Sequence, residues 1–449
     1  MSKLGNYVSI QNGYAFKSKD FIKNTTGTPV IKIGNVTGGS FIDLSSYDTV
    51  SEEVANKAKS FQTKDDDILI AMTGANVGKV SRVAVGTEPC LINQRVGRFV
   101  LKEHCLYSPD FIYYLASSYK SFQYFSSTAD GAAQPNISGK LIEELEFPDI
   151  LPELANKAGE YLKVLDQKIQ LNTQINQTLE QIAQAIFKSW FVDFDPVRAK
   201  AAALESGKTQ AEAEFAAMQA ISGKTAEELA QMPSESYAEL AEIAKAFPSE
   251  FGEDGVPMGW EVAELGSLMT IKRGGSPRPI KDYISDSGLN WVKISDATAE
   301  NNPFLFSTKE YIKLEGLSKT ILLKQGSLIL SNSATPGLPR FLELDACIHD
   351  GWLYFSDIKK LTQEYLYFFF LHIRNNLVSQ GNGSVFTNLK TDIVKSQKSV
   401  VPNENIMNFF NTYSKKLMQL IRENTLESIL LKETRDLLLP RLLSGEIQL

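Results

Sequence analysis

Two stretches of the chain show the same spacing of apolar positions. In residues 162–190, steps of three and four residues select Leu162, Leu165, Ile169, Asn172, Asn176, Leu179, Ala183, Ile186 and Trp190. In residues 410–438, the same steps select Phe410, Tyr413, Leu417, Leu420, Asn424, Glu427, Leu431, Thr434 and Leu438. This spacing is typical of the seam of a coiled coil. Each stretch therefore predicts a long amphipathic helix.

One polar position occurs in both predicted seams. Asn172 and Asn424 lie 252 residues apart and take the same place in the two patterns. A polar seam residue lowers stability but fixes the register of a pair, so its recurrence indicates two matched helices that pack together. The alternative is that the two stretches are unrelated amphipathic helices of a globular core.

Shorter patterns surround the two helices. Residues 1–150 contain β-branched or alternating runs bounded by Gly, Asp or Pro, which predict strands at residues 29–34, 67–72, 79–85 and 95–101. Residues 265–401 repeat this domain: VIKIGN at 30–35 matches WVKISD at 291–296, KDDDILIAM at 64–72 matches KQGSLILSN at 324–332, and Cys90 matches Cys347. These matches are collinear with the helix repeat, which predicts a tandem duplication.

The duplication divides the chain into five parts. We predict an α/β domain at 1–150, a long helix at 151–194, an Ala/Glu-rich helical linker at 195–264, a second α/β domain at 265–401 and a second long helix at 402–449. The fold class is thus α+β: two similar α/β domains alternate with two long helices, which pair as an antiparallel coiled coil with pseudo-two-fold symmetry.

Composition and charge narrow the possible partners. The 449 residues are 43% hydrophobic and 22% charged, and no run of 18 apolar residues occurs, which is typical of a soluble globular protein. The three cysteines are not clustered, which indicates a reducing cytoplasm and no disulfide framework. The net charge is −7, but residues 193–264 alone carry 5 basic and 15 acidic side chains. Because the rest of the chain has a small positive balance, a polyanionic partner remains possible.

Catalytic and metal-binding motifs are weak. The segment GANVGK at 74–79 is one residue short of a phosphate-binding loop, and Val80 stands where that loop needs Ser or Thr, so a tight turn after a strand is the better interpretation. A nuclease pattern from Pro148, Asp149, Asp166 and Lys168 places its last two residues on the predicted helix. The three histidines lack metal-ligand spacing. We therefore predict no catalytic site, no metal site and no cofactor held by this chain.

Polar and basic side chains instead lie in corresponding loops of the two domains. Arg, Lys, Asn and Gln can form bidentate bonds to base edges, and Ser and Thr can bind phosphates. The candidates in the first domain are Tyr14, Lys17, Lys19, Thr73, Asn76, Lys79, Arg82, Gln94, Arg95, Gln134, Asn136 and Lys140. In the second they are Lys272, Arg273, Ser276, Arg278, Asn332, Ser333, Thr335, Arg340, Ser384, Thr387 and Asn388.

Several segments together resemble the DNA-specificity subunit of type I restriction–modification systems. They are LGNYVSIQNGYAF at 4–16, MTGANVGKV at 72–80, INQR at 92–95, QPNIS at 134–138, FKSWFVDFDPVRAK at 187–200, GVPMGWEVAELG at 255–266 and LLLPRLLSGEIQL at 437–449. The second domain departs from this pattern, with SNSATPGLPR in place of the Gly-Lys turn and CIHDGW in place of INQR.

The resemblance implies a non-catalytic subunit with two target-recognition domains, each reading half of an interrupted site in double-stranded DNA. It also implies two copies of a methyltransferase subunit, which bring S-adenosylmethionine, and restriction subunits that use ATP and Mg²⁺. The alternatives are the specificity subunit of a type IIB or IIG-like enzyme, a tandem protein-interaction scaffold, and an enzyme with a degenerate site.

Overall fold

The computed structural model describes residues 2–22, 26–130, 135–299, 301–381 and 388–447. The candidates Gln134, Ser384 and Thr387 lie outside these residues. The strands are β1 (Val8–Asn12), β2 (Phe21–Ile22), β3 (Thr28–Ile31), β4 (Asp48–Val50), β5 (Ile68–Ala71), β6 (Val80–Arg82), β7 (Leu91–Ile92), β8 (Val96–Leu101), β9 (Glu261–Glu264), β10 (Thr270–Arg273), β11 (Ile284–Ser285), β12 (Leu289–Val292), β13 (Phe304–Leu305), β14 (Glu310–Ile312), β15 (Ile321–Leu323), β16 (Leu328–Ser331), β17 (Pro339–Leu342), β18 (Ala346–Ile348), β19 (Trp352–Ser356) and β20 (Lys398–Val401).

The α-helices include two of 40 residues each, α5 and α14. In chain order they are α1 (Glu52–Lys57), α2 (Pro109–Ser117), α3 (Tyr119–Thr128), α4 (Gly139–Glu143), α5 (Pro152–Phe191), α6 (Asp195–Glu205), α7 (Gln210–Ser222), α8 (Ala226–Ala230), α9 (Ser234–Ala246), α10 (Leu265–Leu268), α11 (Ile294–Thr298), α12 (Gln363–Gly381), α13 (Thr391–Lys395) and α14 (Glu404–Leu443). Within the residues that the structure describes, no helix is long and apolar enough to cross a membrane.

The chain forms two compact units. Unit 1 contains Met1–Asn172 and Leu426–Leu449. It has two four-stranded sheets, in the orders β1-β8-β5-β6 and β2-β4-β3-β7. Its largest core buries apolar side chains of β5, α2 and the start of α5, and it also buries Leu442 and Leu443 at the end of α14. Unit 1 therefore needs the first and the last parts of the chain.

Unit 2 contains Thr173–Thr425. Its two five-stranded sheets have the orders β10-β19-β16-β17-β13 and β11-β14-β12-β18-β15. Its main core joins aromatic residues of α12, including Tyr365 and Phe370, to Phe187 and Trp190 on α5 and Phe410 on α14.

The two units share one sheet topology. The order β1-β8-β5-β6 recurs as β10-β19-β16-β17, and β2-β4-β3-β7 recurs as β11-β14-β12-β18. Each second sheet contains one parallel pair at the corresponding place, where Val30 faces Leu91 in unit 1 and Trp291 faces Cys347 in unit 2. This shared topology confirms the predicted fold class of two similar α/β domains with two long helices.

The long helices contact each other in opposite chain directions within each unit. In unit 1, Asp166 binds Arg435 and Asn172 binds Ser428. In unit 2, the Asn176 amide donates to Thr425 Oγ1 at 3.1 Å, while Phe187, further along α5, meets Phe410, which lies earlier on α14. Residue numbers at successive contacts increase along α5 and decrease along α14, so the helices run antiparallel within each unit.

The predicted seam is correct for parts of α5 and for the start of α14 but wrong further along α14. Leu162, Asn172, Ala183 and Trp190 of α5 are buried. On α14, Phe410 is buried as predicted, but Leu420 and Glu427 are exposed. Between residues 411 and 441, the buried positions are Ser414, Met418, Ile421, Thr425 and Ser428. Asn424 is therefore outside the buried row, and it donates to Asn176 Oδ1 at 3.0 Å. Three of the five buried positions are Ser or Thr, which a search for apolar residues passes over.

The linker folds as four short helices with a small core of its own, where two or three solvated helices were expected. Met218 of α7, Leu229 of α8 and Leu240 of α9 pack together in this core. The buried Lys200 of α6 donates to the backbone carbonyls of Ala244 and Phe247, at 3.1 and 2.6 Å, and so binds the C-terminal end of α9.

Candidate nucleic-acid interface

Backbone hydrogen bonds gather four polar loops of the first domain. The Tyr14 amide donates to Ile92 O at 2.7 Å and the Gln94 amide to Tyr14 O at 2.9 Å. The Met72 amide donates to Arg95 O, and the Ile137 amide to Met72 O, both at 2.9 Å. The candidates near residues 14, 73–79, 94–95 and 136 therefore lie on one joined surface, which we call recognition surface 1.

The second domain repeats this arrangement. The Gly274 amide donates to Trp352 O at 2.9 Å and the Asn332 amide to Gly351 O at 2.8 Å. The Leu389 amide donates to Asn332 O at 2.7 Å. The loops around residues 273–278, 332–335, 349–351 and 388 thus form recognition surface 2. The bonds of Asn332 to Gly351 and of Leu389 to Asn332 correspond to those of Met72 to Arg95 and of Ile137 to Met72 in recognition surface 1.

Most of the described candidates can be reached from solvent. The exposed ones are Lys17, Lys19, Gln94, Arg95, Asn136, Lys140, Lys272, Arg273, Arg278 and Asn388. The half-buried ones are Tyr14, Thr73, Asn76, Lys79, Ser276, Ser333 and Thr335. Their roles in DNA binding stay predictions.

The GANVGK segment forms the tight turn that was predicted. The turn follows β5, and both Gly74 and Gly78 have positive φ, at 74° and 82°. A Cβ on Gly78 would lie 2.9 Å from Phe125 Cβ, so the backbone passes close to α3. Within the turn, Lys79 Nζ donates to Asn76 Oδ1 at 2.9 Å, and the Asn76 amide donates to Ile33 O at 3.0 Å. Asn76 therefore holds the Lys79 ammonium at the surface.

Arg82 is not available to DNA, so its assignment as a contact residue is wrong. The side chain is 1% exposed and forms ion pairs with Asp110 at 3.0 Å and with Asp166 at 3.3 Å. Asp166 also accepts hydrogen bonds from Tyr114 at 2.7 Å and Arg435 at 2.6 Å. Burial and the Asp166 carboxylate raise the pKa of Tyr114 well above its ordinary value, so this phenol remains a donor. Arg82 thus joins β6 to both long helices within unit 1.

Arg340 and Asn332 are also buried, so their prediction as DNA contacts is wrong. Arg340 is 5% exposed, and its guanidinium donates to the carbonyls of Ala297 and Pro339 at 3.2 and 3.0 Å. Burial lowers the pKa of this guanidinium from its ordinary value. Asn332 is 2% exposed and donates to Asp350 O at 3.2 Å. Both side chains satisfy backbone carbonyls and fix the loops of recognition surface 2.

One residue that the sequence analysis passed over, Asp350, lies at the centre of recognition surface 2. It accepts hydrogen bonds from Ser276, Arg278 and Arg273. A search for donors to DNA omits carboxylates, although Asp can accept from the amino group of cytosine. The available signal was its place in CIHDGW, the segment that corresponds to INQR.

Both domains bury a cysteine, but the strand pairing sets Cys347 at the place of Leu91, so the predicted match of Cys90 with Cys347 is wrong by one residue. Burial raises the pKa of both Cys90 and Cys347 to about 11, so neither is a reactive thiolate at neutral pH. Within the described ranges, no group of three or more His, Cys, Asp or Glu side chains could hold a metal ion.

Comparison with known proteins identifies the family. The family described as "Type I restriction modification DNA specificity domain" matches residues 1–181 and 257–430, once in each copy of the duplicated domain. The chain belongs to this family. It is 38% identical to the HindI specificity subunit of Haemophilus influenzae over 370 residues, which cover 76% of this chain and 77% of that protein. It is 22% identical to the MjaIX specificity subunit of Methanocaldococcus jannaschii, over 94% of this chain and 90% of that protein.

A solved structure shares the fold. The crystal structure of the S subunit of a type I restriction–modification system from M. genitalium aligns with a TM-score of 0.54 at 12% sequence identity. The alignment covers 98% of this chain and 94% of that chain. At this identity the likeness concerns the fold of the specificity-domain family and not the residues that read DNA.

Proposed function

We propose that this member of the specificity-domain family is the DNA-recognition subunit of a type I restriction–modification complex. Each recognition surface reads one half of an interrupted site in double-stranded DNA. The observation that carries the proposal is the repetition of the same gathered loops in two domains of one chain. A protein with one recognition surface has no need of such a repeat, whereas a bipartite site needs two.

Charge and exposure support binding to a polyanion. The exposed candidates of the two surfaces include Lys17, Lys19 and Arg95 in the first domain and Lys272 and Arg278 in the second. Lys and Arg neutralise phosphates and release counterions, and this makes affinity strongly dependent on salt. All of the acidic excess of the chain lies in residues 193–264, outside both surfaces.

The partners follow from the same proposal. Two copies of a methyltransferase subunit, which bring S-adenosylmethionine, bind this chain, and restriction subunits that use ATP and Mg²⁺ join them. The chain supplies no catalytic group. The long helices α5 and α14 form an antiparallel coiled coil, which the opposite chain directions of their contacts in each unit support. The names of the similar proteins favour this proposal over a type IIB or IIG-like subunit and over a peptide-binding scaffold.

The test uses the full chain with its methyltransferase subunit. We expect adenine methylation at one bipartite sequence, and DNA affinity that falls steeply between about 50 and 200 mM salt. A test variant, K79M in recognition surface 1, should weaken binding to all sequences and reduce the salt slope by about one. Binding that is independent of salt, or methylation without any sequence preference, would contradict the proposal.

A further inference from the structure

The carboxylate of Asp350 binds two side chains of recognition surface 2. Asp350 Oδ1 accepts from Ser276 Oγ at 2.6 Å, and Oδ2 accepts from Arg278 Nη2 at 3.4 Å. The backbone of the same residue holds two more: its carbonyl accepts from Arg273 Nε and from Asn332 Nδ2. The main chain of Asp350 therefore binds Arg273, whereas its carboxylate binds Arg278.

The corresponding turn of the first domain is built differently. Ile92 pairs with Ile31, and Ile348 pairs with Val292 in the same parallel arrangement, so Asp350 takes the place of Gln94. Gln94 and Arg95 are exposed, and their side chains form no hydrogen bond or ion pair with the rest of the described chain. Recognition surface 1 thus offers free side chains at the turn where recognition surface 2 has a carboxylate that holds an arginine.

A held arginine has a physical advantage in reading a base. The Arg278 side chain is 73% exposed and would otherwise sample many rotamers. Ordering a free arginine on binding costs side-chain entropy. The guanidinium carries five donors in a rigid plane, so one edge can bind a carboxylate while the remaining donors bind guanine O6 and N7.

The same carboxylate weakens non-specific binding to DNA. A negative charge at the surface repels phosphates, and it partly cancels the positive charge of Arg278. A side chain that served only to attract DNA would not be paired in this way.

We propose that Asp350 is a positioning residue for recognition surface 2, whose carboxylate orients Arg278 to read one base pair of the second half-site. This inference rests on the proposed function. It assigns a negatively charged residue to specificity and predicts that specificity and non-specific affinity change in opposite directions when the charge is removed.

The experiment compares D350N, R278A and the double variant in the full chain with its methyltransferase subunit. The substrates are duplexes in which each base pair of either half-site is changed in turn. R278A should lower discrimination at one base pair of the second half-site by about tenfold or more. D350N should lower discrimination at the same base pair, while its affinity for random-sequence DNA rises. The double variant should lose no more discrimination than R278A alone, because both changes remove one interaction.

D345N is the matched control. Asp345 is another surface carboxylate of the same domain, and it binds Lys324 and the Gln325 amide away from recognition surface 2. D345N should leave discrimination unchanged at every base pair.

Three outcomes would overturn the inference. They are unchanged discrimination in D350N or R278A, an equal loss at both half-sites, and effects of the two variants that add. R278A also covers the case in which D350N folds poorly, because Arg278 is mostly exposed. If the unmodified chain prefers no sequence, the proposed function fails; if it discriminates and D350N discriminates equally well, only the inference about Asp350 fails.

Discussion

Replacing Asp166 tests whether a buried charge cluster fastens the first recognition domain to the long helices. The Asp166 side chain is fully buried and accepts from Tyr114, Arg82 and Arg435 at 2.7, 3.3 and 2.6 Å. Replacing it by Ala leaves Arg82 buried with only the half-buried Asp110 as a charge partner. Removing one partner of a buried ion pair costs about 3–5 kcal/mol. We therefore expect D166A to lower the free energy of unfolding of unit 1 by about this amount.

The assay must resolve unit 1 from unit 2, because two units need not unfold together. Hydrogen exchange of β6 and α2 amides reports on unit 1 and that of β16 and α12 amides on unit 2. D166A should speed exchange in unit 1 alone. The matched control is D436A: Asp436 also binds Arg435, but its side chain is 63% exposed, and such surface pairs contribute about 0–1 kcal/mol.

Equal effects of D166A and D436A would refute this reasoning, and so would faster exchange in both units. A further variant separates charge from packing. Replacing Arg82, Asp166 and Arg435 together by apolar residues of similar volume should cost far less than D166A, because no buried charge is left without its partner.

Three other changes have definite expected outcomes. R95A should relax specificity in the first half-site only, at a cost of about 1–3 kcal/mol, and methylation that stays fully specific would contradict this. G159A should lower the melting temperature of unit 1, since the added Cβ would lie 2.6 Å from the Phe111 amide nitrogen; an unchanged melting temperature would show that α2 and α5 can separate at no cost. Burial lowers the pKa of His349, whose charged neighbours are Asp350, Lys293 and Arg273. As the pH falls below about 6.5, the unfolded state therefore binds a proton at this histidine more readily than the folded state does. Unit 2 should therefore lose stability as the pH falls below about 6.5, and H349Q should lose less in a melting series from pH 8 to 5; identical pH profiles would argue against this.

Local patterns in the sequence predict much of the fold. The alternating runs at 67–72 and 95–101 become β5 and β8, and the glycines at 74 and 78 form the expected turn. These features depend on residues that are close in the chain. The duplication was also visible, because its matches keep their order over the whole chain.

Features that depend on distant partners were not predictable in this way. Arg82 lies in the predicted strand 79–85, where nothing in the neighbouring sequence shows that it is buried, because its partner Asp166 lies 84 residues away. In the sequence, Asp166 stands out only as a member of the weak nuclease pattern. The buried row of α14 uses Ser414, Thr425 and Ser428, whose polarity hid the register. Asp350 was missed because an acidic residue in a DNA-binding loop looks unfavourable until its arginine partner is seen.

Unit 1 is formed by two segments that are distant in the sequence, and this constrains when it can fold during synthesis. Residues 1–172 are synthesised first, but Arg435, Leu442 and Leu443 complete their charge cluster and core. All of unit 2, residues 173–425, is synthesised before Arg435, Leu442 and Leu443. Until then, Asp166 of the nascent first domain lacks the Arg435 guanidinium as a partner. The apolar surface that Leu442 and Leu443 cover is also exposed to solvent. Folding of α14 then completes the core of the domain that was synthesised first. A prematurely terminated chain therefore has an incomplete first domain, and it exposes an apolar surface that chaperones and proteases can recognise.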